Sequence, residues 1–203
     1  VSYIPNPVDP AIEYGKAFEN KTYTHDMFFG FGGVGADMPE REIIPAAINK
    51  ALPDFDLHVA SATYGNGLWA ADYAQMLSSC KMGLNLSRTK DKGHTATAEE
   101  IYLYASDRMA HYMGHGLLTF TPTATKMDDL FNDSEMVFFE NTEELIEKIG
   151  YYHKHDEKAR YVAKAGWQKS MDCFSADMVC AYIIDRAFGN ALSHPYAWPT
   201  ELY

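Results

Sequence analysis

The stretch from Tyr104 to Pro122, YASDRMAHYMGHGLLTFTP, gathers the residue types most able to hold a ligand. Ser106 can cap a helix, Asp107 falls in its first turn, and Arg108 stands beside N–H groups that a first turn leaves unpaired. Gly116 then ends the helix, and Leu117 to Phe120 reads as a short strand that must be buried. A guanidinium at a helix N-terminus suits a phosphate, which points to a nucleotide-linked ligand. The competing assignment for Arg108 is a salt bridge to a neighbouring carboxylate. His111 and His115 follow on the face that Arg108 occupies.

Two other groups qualify. Gly32, Gly33 and Gly35 follow the apolar run Asp26 to Phe31, where glycine lets backbone N–H groups approach a phosphate. Their spacing, FGFGGVG, is not a clean GxGxxG, and no acidic residue completes a dinucleotide fingerprint. Asn85, Ser87 and Arg88 close the run GLNLSR and supply an amide, a hydroxyl and a guanidinium, groups able to address a ribose, a sugar hydroxyl or a phosphate. His111 and His115 have the i,i+4 spacing of a metal pair, but no motif places a third ligand and the HExxH glutamate is missing, so no metal is expected. His153 and His155 are explained by a solvated turn. No Gly-x-Ser-x-Gly, Walker loop or Cys/His nucleophile pattern occurs.

These residues need a frame. Short apolar segments at Asp26–Phe31, Leu57–Ala60, Met82–Leu86, Leu117–Phe120 and Met136–Phe139 alternate with helical spacing at Pro39–Leu52, Trp69–Cys80 and 106–115. Asn141 with Glu144 marks the start of a helix over 142–152, and two more helices follow over His155–Phe174 and Ser175–Phe188. Residues 87–99 carry no pattern and read as a loop, with a short helical turn near Met127 to Phe131. Such alternation predicts an α/β fold, a Rossmann-like doubly wound parallel sheet with a helical carboxyl-terminal extension. Ligands of such sheets sit beyond the carboxyl ends of the strands, where the polar segments 32–37, 61–67 and 87–95 converge. Residues 1–25, with Pro5, Pro7 and Pro10, read as a linker or domain edge, residues 26–190 as the sheet domain, and residues 191–203 as an aromatic tail laid on its surface.

The composition narrows the function classes. With 17 basic and 28 acidic residues among 203, the formal charge is -11, which argues against a general nucleic-acid binder. An apolar share of 47% supports a full core. Cys80, Cys173 and Cys180 form no disulfide framework, which suits a reducing cytoplasm. No run approaches the ~20 apolar residues of a membrane span. The chain opens on Val1 rather than Met, which reads as part of something longer.

Taken in order, PNPVD (5–9), the strand with its glycine turn, LHVAS (57–61), GLNLSR (83–88), SDR…GxxLLT (106–119) and EMVFFENTEELIEKI (135–149) resemble the carboxyl-terminal lobe of GT-B glycosyltransferases, closest to the group 1 domain of spore-maturation CgeB-like proteins. The similarity runs over about residues 3 to 188, with PNPVD matching the segment that joins the two lobes and KAGWQKSMDCFSA (164–176) the stretch after the last strand. The resemblance implies a lobe that binds a nucleotide-diphosphate sugar as substrate, without cofactor. An amino-terminal lobe, which holds most of the unknown acceptor, would be missing here. By position, Arg108 and the helix start around Ser106 and Asp107 would face the diphosphate. Gly32 and Gly33 would line the cleft, and Asn85, Ser87 and Arg88 would lie near the nucleotide or sugar. The family helix usually reads R-x-F-E, its glutamate gripping the ribose; His111 stands there instead and cannot reproduce a carboxylate's two acceptors. Asp107 or a loop acid such as Glu99 would substitute, the donor would be read differently, or activity would be lost. The alternatives are a non-catalytic nucleotide-binding or assembly module with the same fold, and a different doubly wound protein such as a flavodoxin-like domain.

Overall fold

A computed structural model of the chain describes residues 2–32, 39–86, 90–91, 94–95 and 101–201. Five strands, β1 (His25–Phe31), β2 (Leu57–Ser61), β3 (Cys80–Leu84), β6 (Leu118–Pro122) and β7 (Val137–Phe139), form one sheet in the order β2-β1-β3-β6-β7. Every pairing in it is parallel, with Phe28 opposite both His58 and Gly83, and Gly83 opposite Thr119. The chain moves outward from β1 to β2 and then returns to the far side of β1 with β3. The topological switch point therefore lies between β1 and β3, where open α/β sheets take their ligands.

A parallel sheet is covered on both faces, which is why MFFGF and CKMGL read as continuous rather than alternating apolar runs. On one face Met27, Phe29, Met82, Leu84 and Phe120 pack with Ile48 of α1 (Glu40–Ala51), Leu145 and Ile149 of α4 (Thr142–Lys154), and Val162 of α5 (Asp156–Cys173). On the other, Phe28, Ala60 and Cys80 pack with Leu77 of α2 (Ala70–Ser79) and Tyr112 of α3 (Asp107–Gly114). A third cluster joins Met109 and Met113 to Phe174, to Val179 and Tyr182 of α6 (Ala176–Phe188), and to Trp198 of the tail. The fold is thus the expected doubly wound α/β lobe, with α5, α6 and the aromatic tail as its helical extension. No described helix is long and apolar enough to cross a membrane.

Several element ends differ from the sequence expectation. α1 runs over Glu40–Ala51, one residue shorter at each end than Pro39–Leu52, and holds Pro45 in its interior. α2 passes into β3 without a connecting loop, so β3 begins at Cys80 rather than Met82. The segment read as an irregular loop contains two short antiparallel strands, β4 (Lys90–Asp91) and β5 (His94–Thr95). The Met127 turn is 3-10, over Met127–Asp129. The Asn141 cap is as anticipated: its Oδ1 accepts from the Glu144 N–H at 2.9 Å, while Glu144 Oε2 accepts from the Glu140 N–H at 2.7 Å.

Residues 2–24 run along the edge of this lobe and are held by it. The Val8 N–H donates to the Phe174 carbonyl at 2.9 Å, and the Ala176 N–H donates back to Val8 at 2.8 Å. Val8, Glu13, Ala17 and Phe18 are all buried.

Candidate functional site

A cavity of about 290 Å³ opens beyond the carboxyl ends of β1 and β2, close to the lower size of small-molecule pockets. Gly30, Phe31 and Gly32 of the β1 end form one wall, Ala60 and Ala62 another, and Leu68, Trp69 and Tyr73 around the start of α2 a third. The start of α3 closes it with Asp107, Arg108 and His111.

Arg108 reaches across the switch point. Its Nη1 donates to the Gly30 carbonyl at 2.8 Å, and its Nη2 donates to the Leu86 carbonyl at 2.8 Å and to Asn85 Oδ1 at 3.4 Å. The guanidinium lies 5.4 Å from the Phe29 ring centre and only 7% of the residue is exposed. Among the described residues it meets no carboxylate, so the salt-bridge alternative finds no partner there. A guanidinium has five N–H bonds. Three are spent on β1 and on the segment after β3, and Nε, itself shielded from solvent, has no hydrogen-bond partner among the described residues. Arg108 thus brings a positive charge to the cavity wall, while its unpaired Nε lies beneath the accessible surface.

Asn85 sits behind Arg108 rather than in the cavity. It is fully buried, accepts from the Ser106 hydroxyl at 2.9 Å and donates to Thr121 Oγ1 at 3.4 Å. This corrects the expected cap. Ser106 occupies the N-cap position but makes no side-chain cap bond, because its hydroxyl is committed to Asn85; Asp107 Oδ1 takes the Arg108 N–H at 2.8 Å instead. The first turn of α3 is thereby tied to the segment after β3, and Gly116 ends the helix with φ at +75°. Gly32 lies on the cavity wall. Gly33, Gly35, Ser87, Arg88 and Glu99 lie outside the described residues.

His111, one turn beyond Arg108, also lines the cavity, and its Nδ1 is hydrogen-bonded to Glu13 Oε1. Glu13 is 2% exposed, and its Oε2 accepts from the Asp9 N–H at 2.7 Å. The hydrogen bond to Glu13 pushes the His111 pKa up against the opposing effect of burial, with Glu13 and Asp107 adding favourable charge. His115, one turn further, differs: burial lowers its pKa, and its Nδ1 donates to the His111 carbonyl at 3.0 Å. Gly114 allows this arrangement, since a Cβ there would stand 2.8 Å from Val8 Cγ1 and 2.9 Å from Glu13 Cβ.

Sequence reasoning missed Glu13, Tyr73 and Trp69. Glu13 lies in a segment that reads as a connector, 98 positions from its partner, and nothing local marks it. Tyr73 and Trp69 fit a helix pattern; Trp69 is nevertheless 72% exposed at the rim, beside Ala70 with φ at +47°.

The family model described as glycosyl transferase-like matches residues 40–185. No curated protein sequence gives a significant match. Among solved structures, the chain resembles an α1,3-fucosyltransferase at 14% identity and a TM-score of 0.57, covering 90% of this chain and 50% of that one. It resembles the C-terminal domain of a group 1 glycosyl transferase (LpcC) from Francisella tularensis at 13% identity and a TM-score of 0.57, covering 83% and 99% respectively. HepE from Anabaena, solved with UDP-glucose, gives 12% identity and a TM-score of 0.62, covering 82% of this chain and 49% of that one. The chain therefore spans about half the length of the fucosyltransferase and of HepE, and nearly all of the isolated LpcC domain. At these identities the likeness is one of fold.

Proposed function

The chain belongs to the glycosyl transferase-like family, and from that we propose that it is the donor-binding half of an enzyme that moves a sugar from a nucleotide-diphosphate sugar to an acceptor. The observation that carries this reading is Arg108, a guanidinium that lines a cavity at the switch point of the sheet and, among the described residues, meets only carbonyl and amide oxygens. Transfer breaks the bond between the anomeric carbon and a phosphate oxygen and leaves charge on the departing nucleoside diphosphate. Arg108 and the first-turn amides of α3 are the groups to stabilise that charge. Asn85 and Ser106 position Arg108 and α3. Gly32 lines the way in, and Gly33, Ser87 and Arg88 are assigned to the donor by position in the sequence alone.

HepE with UDP-glucose and a fucosyltransferase solved with GDP-fucose supply the class of ligand for this reading. The acceptor would lie mainly on an amino-terminal lobe beyond this chain, so the chain alone should bind donor without transferring sugar. Kinship with the CgeB-like branch and a cytoplasmic setting, to which three free cysteines are suited, belong to the same proposal.

Calorimetry with UDP-glucose, GDP-fucose and the free diphosphates tests it. Saturable binding that weakens by about 1–3 kcal/mol in Arg108→Ala is the expected result. A second reading, a nucleotide-free assembly module, is favoured by the three protein acceptors that Arg108 already has, since a purely structural role would use those bonds. The absence of a thermal shift with any nucleoside diphosphate would select it.

A further inference from the structure

We infer that Glu13 and His111 form a second anion-binding arm of the cavity, in which the buried carboxylate holds the imidazole at Nδ1 as an imidazolium whose Nε2–H donates to a diphosphate oxygen beside Arg108. This rests on the nucleotide-sugar reading above and adds to it a residue pair and a direction of proton donation. Three observations carry it. His111 lines the same cavity as Arg108 and lies one helical turn from it on the same face. Glu13 is not part of the cavity wall; it is buried under the helix, and its two oxygens are committed to His111 and to the Asp9 N–H. With Nδ1 occupied by Glu13, Nε2 is the ring nitrogen left for a ligand, and no described group bonds it.

The remaining groups around the ring agree with a cation. Tyr73 of α2 meets it edge-on at 5.8 Å, and burial keeps that phenol protonated. Asp107, on the same helix, adds negative charge, while His115 is held toward its neutral form by burial. Arg108 is the opposing positive charge, and an anion between the two would relieve that repulsion. A neutral imidazole here would leave Glu13 buried without a cation, the costlier arrangement. His111 therefore presents a donor at its position in α3, the reverse of what a carboxylate would present. It recognises phosphate oxygen rather than a pair of hydroxyls.

The test uses UDP-glucose and GDP-fucose, whose esterified phosphates keep constant charge between about pH 6 and 9, with affinity followed across that range. Affinity of the unaltered chain should fall by about tenfold or more as pH rises through the His111 titration, the scale of one charge-assisted hydrogen bond. His111→Gln should bind weakly at every pH, with that slope gone. In parallel, the ring resonances of His111, identified by their loss in His111→Gln, should titrate above the ordinary histidine range and move down in Glu13→Gln. Circular dichroism checks that the variant with the buried change is folded; His111→Gln, half-exposed, gives the same slope test without that risk. Binding that is intact with the same pH slope in His111→Gln would overturn the inference while leaving the donor site standing, as would a ring titration indifferent to Glu13. No binding of either nucleotide sugar at any pH would overturn both.

Discussion

The two ends of the parallel sheet use charge in opposite ways. At the amino ends of the strands, described basic side chains meet carboxylates. His25 Nδ1 lies 2.8 Å from Asp56, His153 Nδ1 lies 3.4 Å from Asp26, and the buried Lys81 lies 2.8 Å from Asp156. Arg160 shares Asp156, with Nε 2.5 Å from the carboxylate, and its Nη1 donates to the carbonyls of Phe18 and Asn20. At the carboxyl ends, Arg108 meets only carbonyl and amide oxygens among the described residues. One end is crossed by ion pairs; at the other, His111 pairs with Glu13 while Arg108 meets no described carboxylate. In an acidic protein, a concave site lined by a guanidinium without a carboxylate partner focuses the local field on an anion despite the overall charge of -11.

Removing the arginine from each end tests that contrast most strongly. Arg108→Ala strips the Gly30 and Leu86 carbonyls of their side-chain donor and should cost about 3 kcal/mol in urea unfolding, together with nucleotide-sugar affinity. Arg108→Lys should recover part of the stability and little of the affinity, since an ammonium cannot span two strand ends as a planar fork does. At the other end, Arg160→Ala loses a part-exposed ion pair and two carbonyl contacts and should cost about 1–2 kcal/mol, with calorimetric binding unchanged. Equal loss of binding in both would erase the distinction between the ends.

The contrast also divides what the sequence disclosed from what it hid. Features written in contiguous residues were readable: the apolar runs of β1 and β7, the Asn141 cap, the Gly116 helix end, and Arg108 at the start of α3. Features that arise only when distant segments meet were not. Ser106 has every local property of a side-chain cap, yet its hydroxyl goes to Asn85, 21 positions away, because that amide is buried and needs a partner. Glu13 hides in a proline-rich stretch that composition marks as a connector. Its role depends on Gly114, a helical glycine that looks unfavourable locally and makes sense only when segment 8–13 lies against it.

That glycine gives the next test by size. Gly114→Ala places a methyl against Val8 and Glu13, both buried, and should cost about 1–2 kcal/mol from overpacking. It should also displace the carboxylate from His111, so that the ring titrates lower by NMR. A destabilised variant with an unmoved His111 titration would mean that the pair does not depend on this close approach.

The smallest effect separates two histidines on one helix. His111 has its pKa raised by Glu13, so its contribution to stability is fully present below the unfolded-state pKa of about 6.5 and is lost as pH rises through the folded value. His115 has its pKa lowered by burial, so its contribution is present above about 6.5 and is lost as pH falls toward the folded value. The side chain of His111 is 36% exposed, so solvent screening holds its share to about 0.5–1 kcal/mol. Urea midpoints measured from pH 5 to 9 should therefore change with opposite signs: His111→Gln removes part of the alkaline decline, and His115→Gln removes part of the acidic one. Slopes, rather than absolute midpoints, carry the comparison, because His115 is buried and its replacement lowers stability at every pH. If both variants altered the same limb, the two rings would share one electrostatic setting. Charge at this end of the sheet would then follow the helix as a whole instead of the single carboxylate supplied by residue 13.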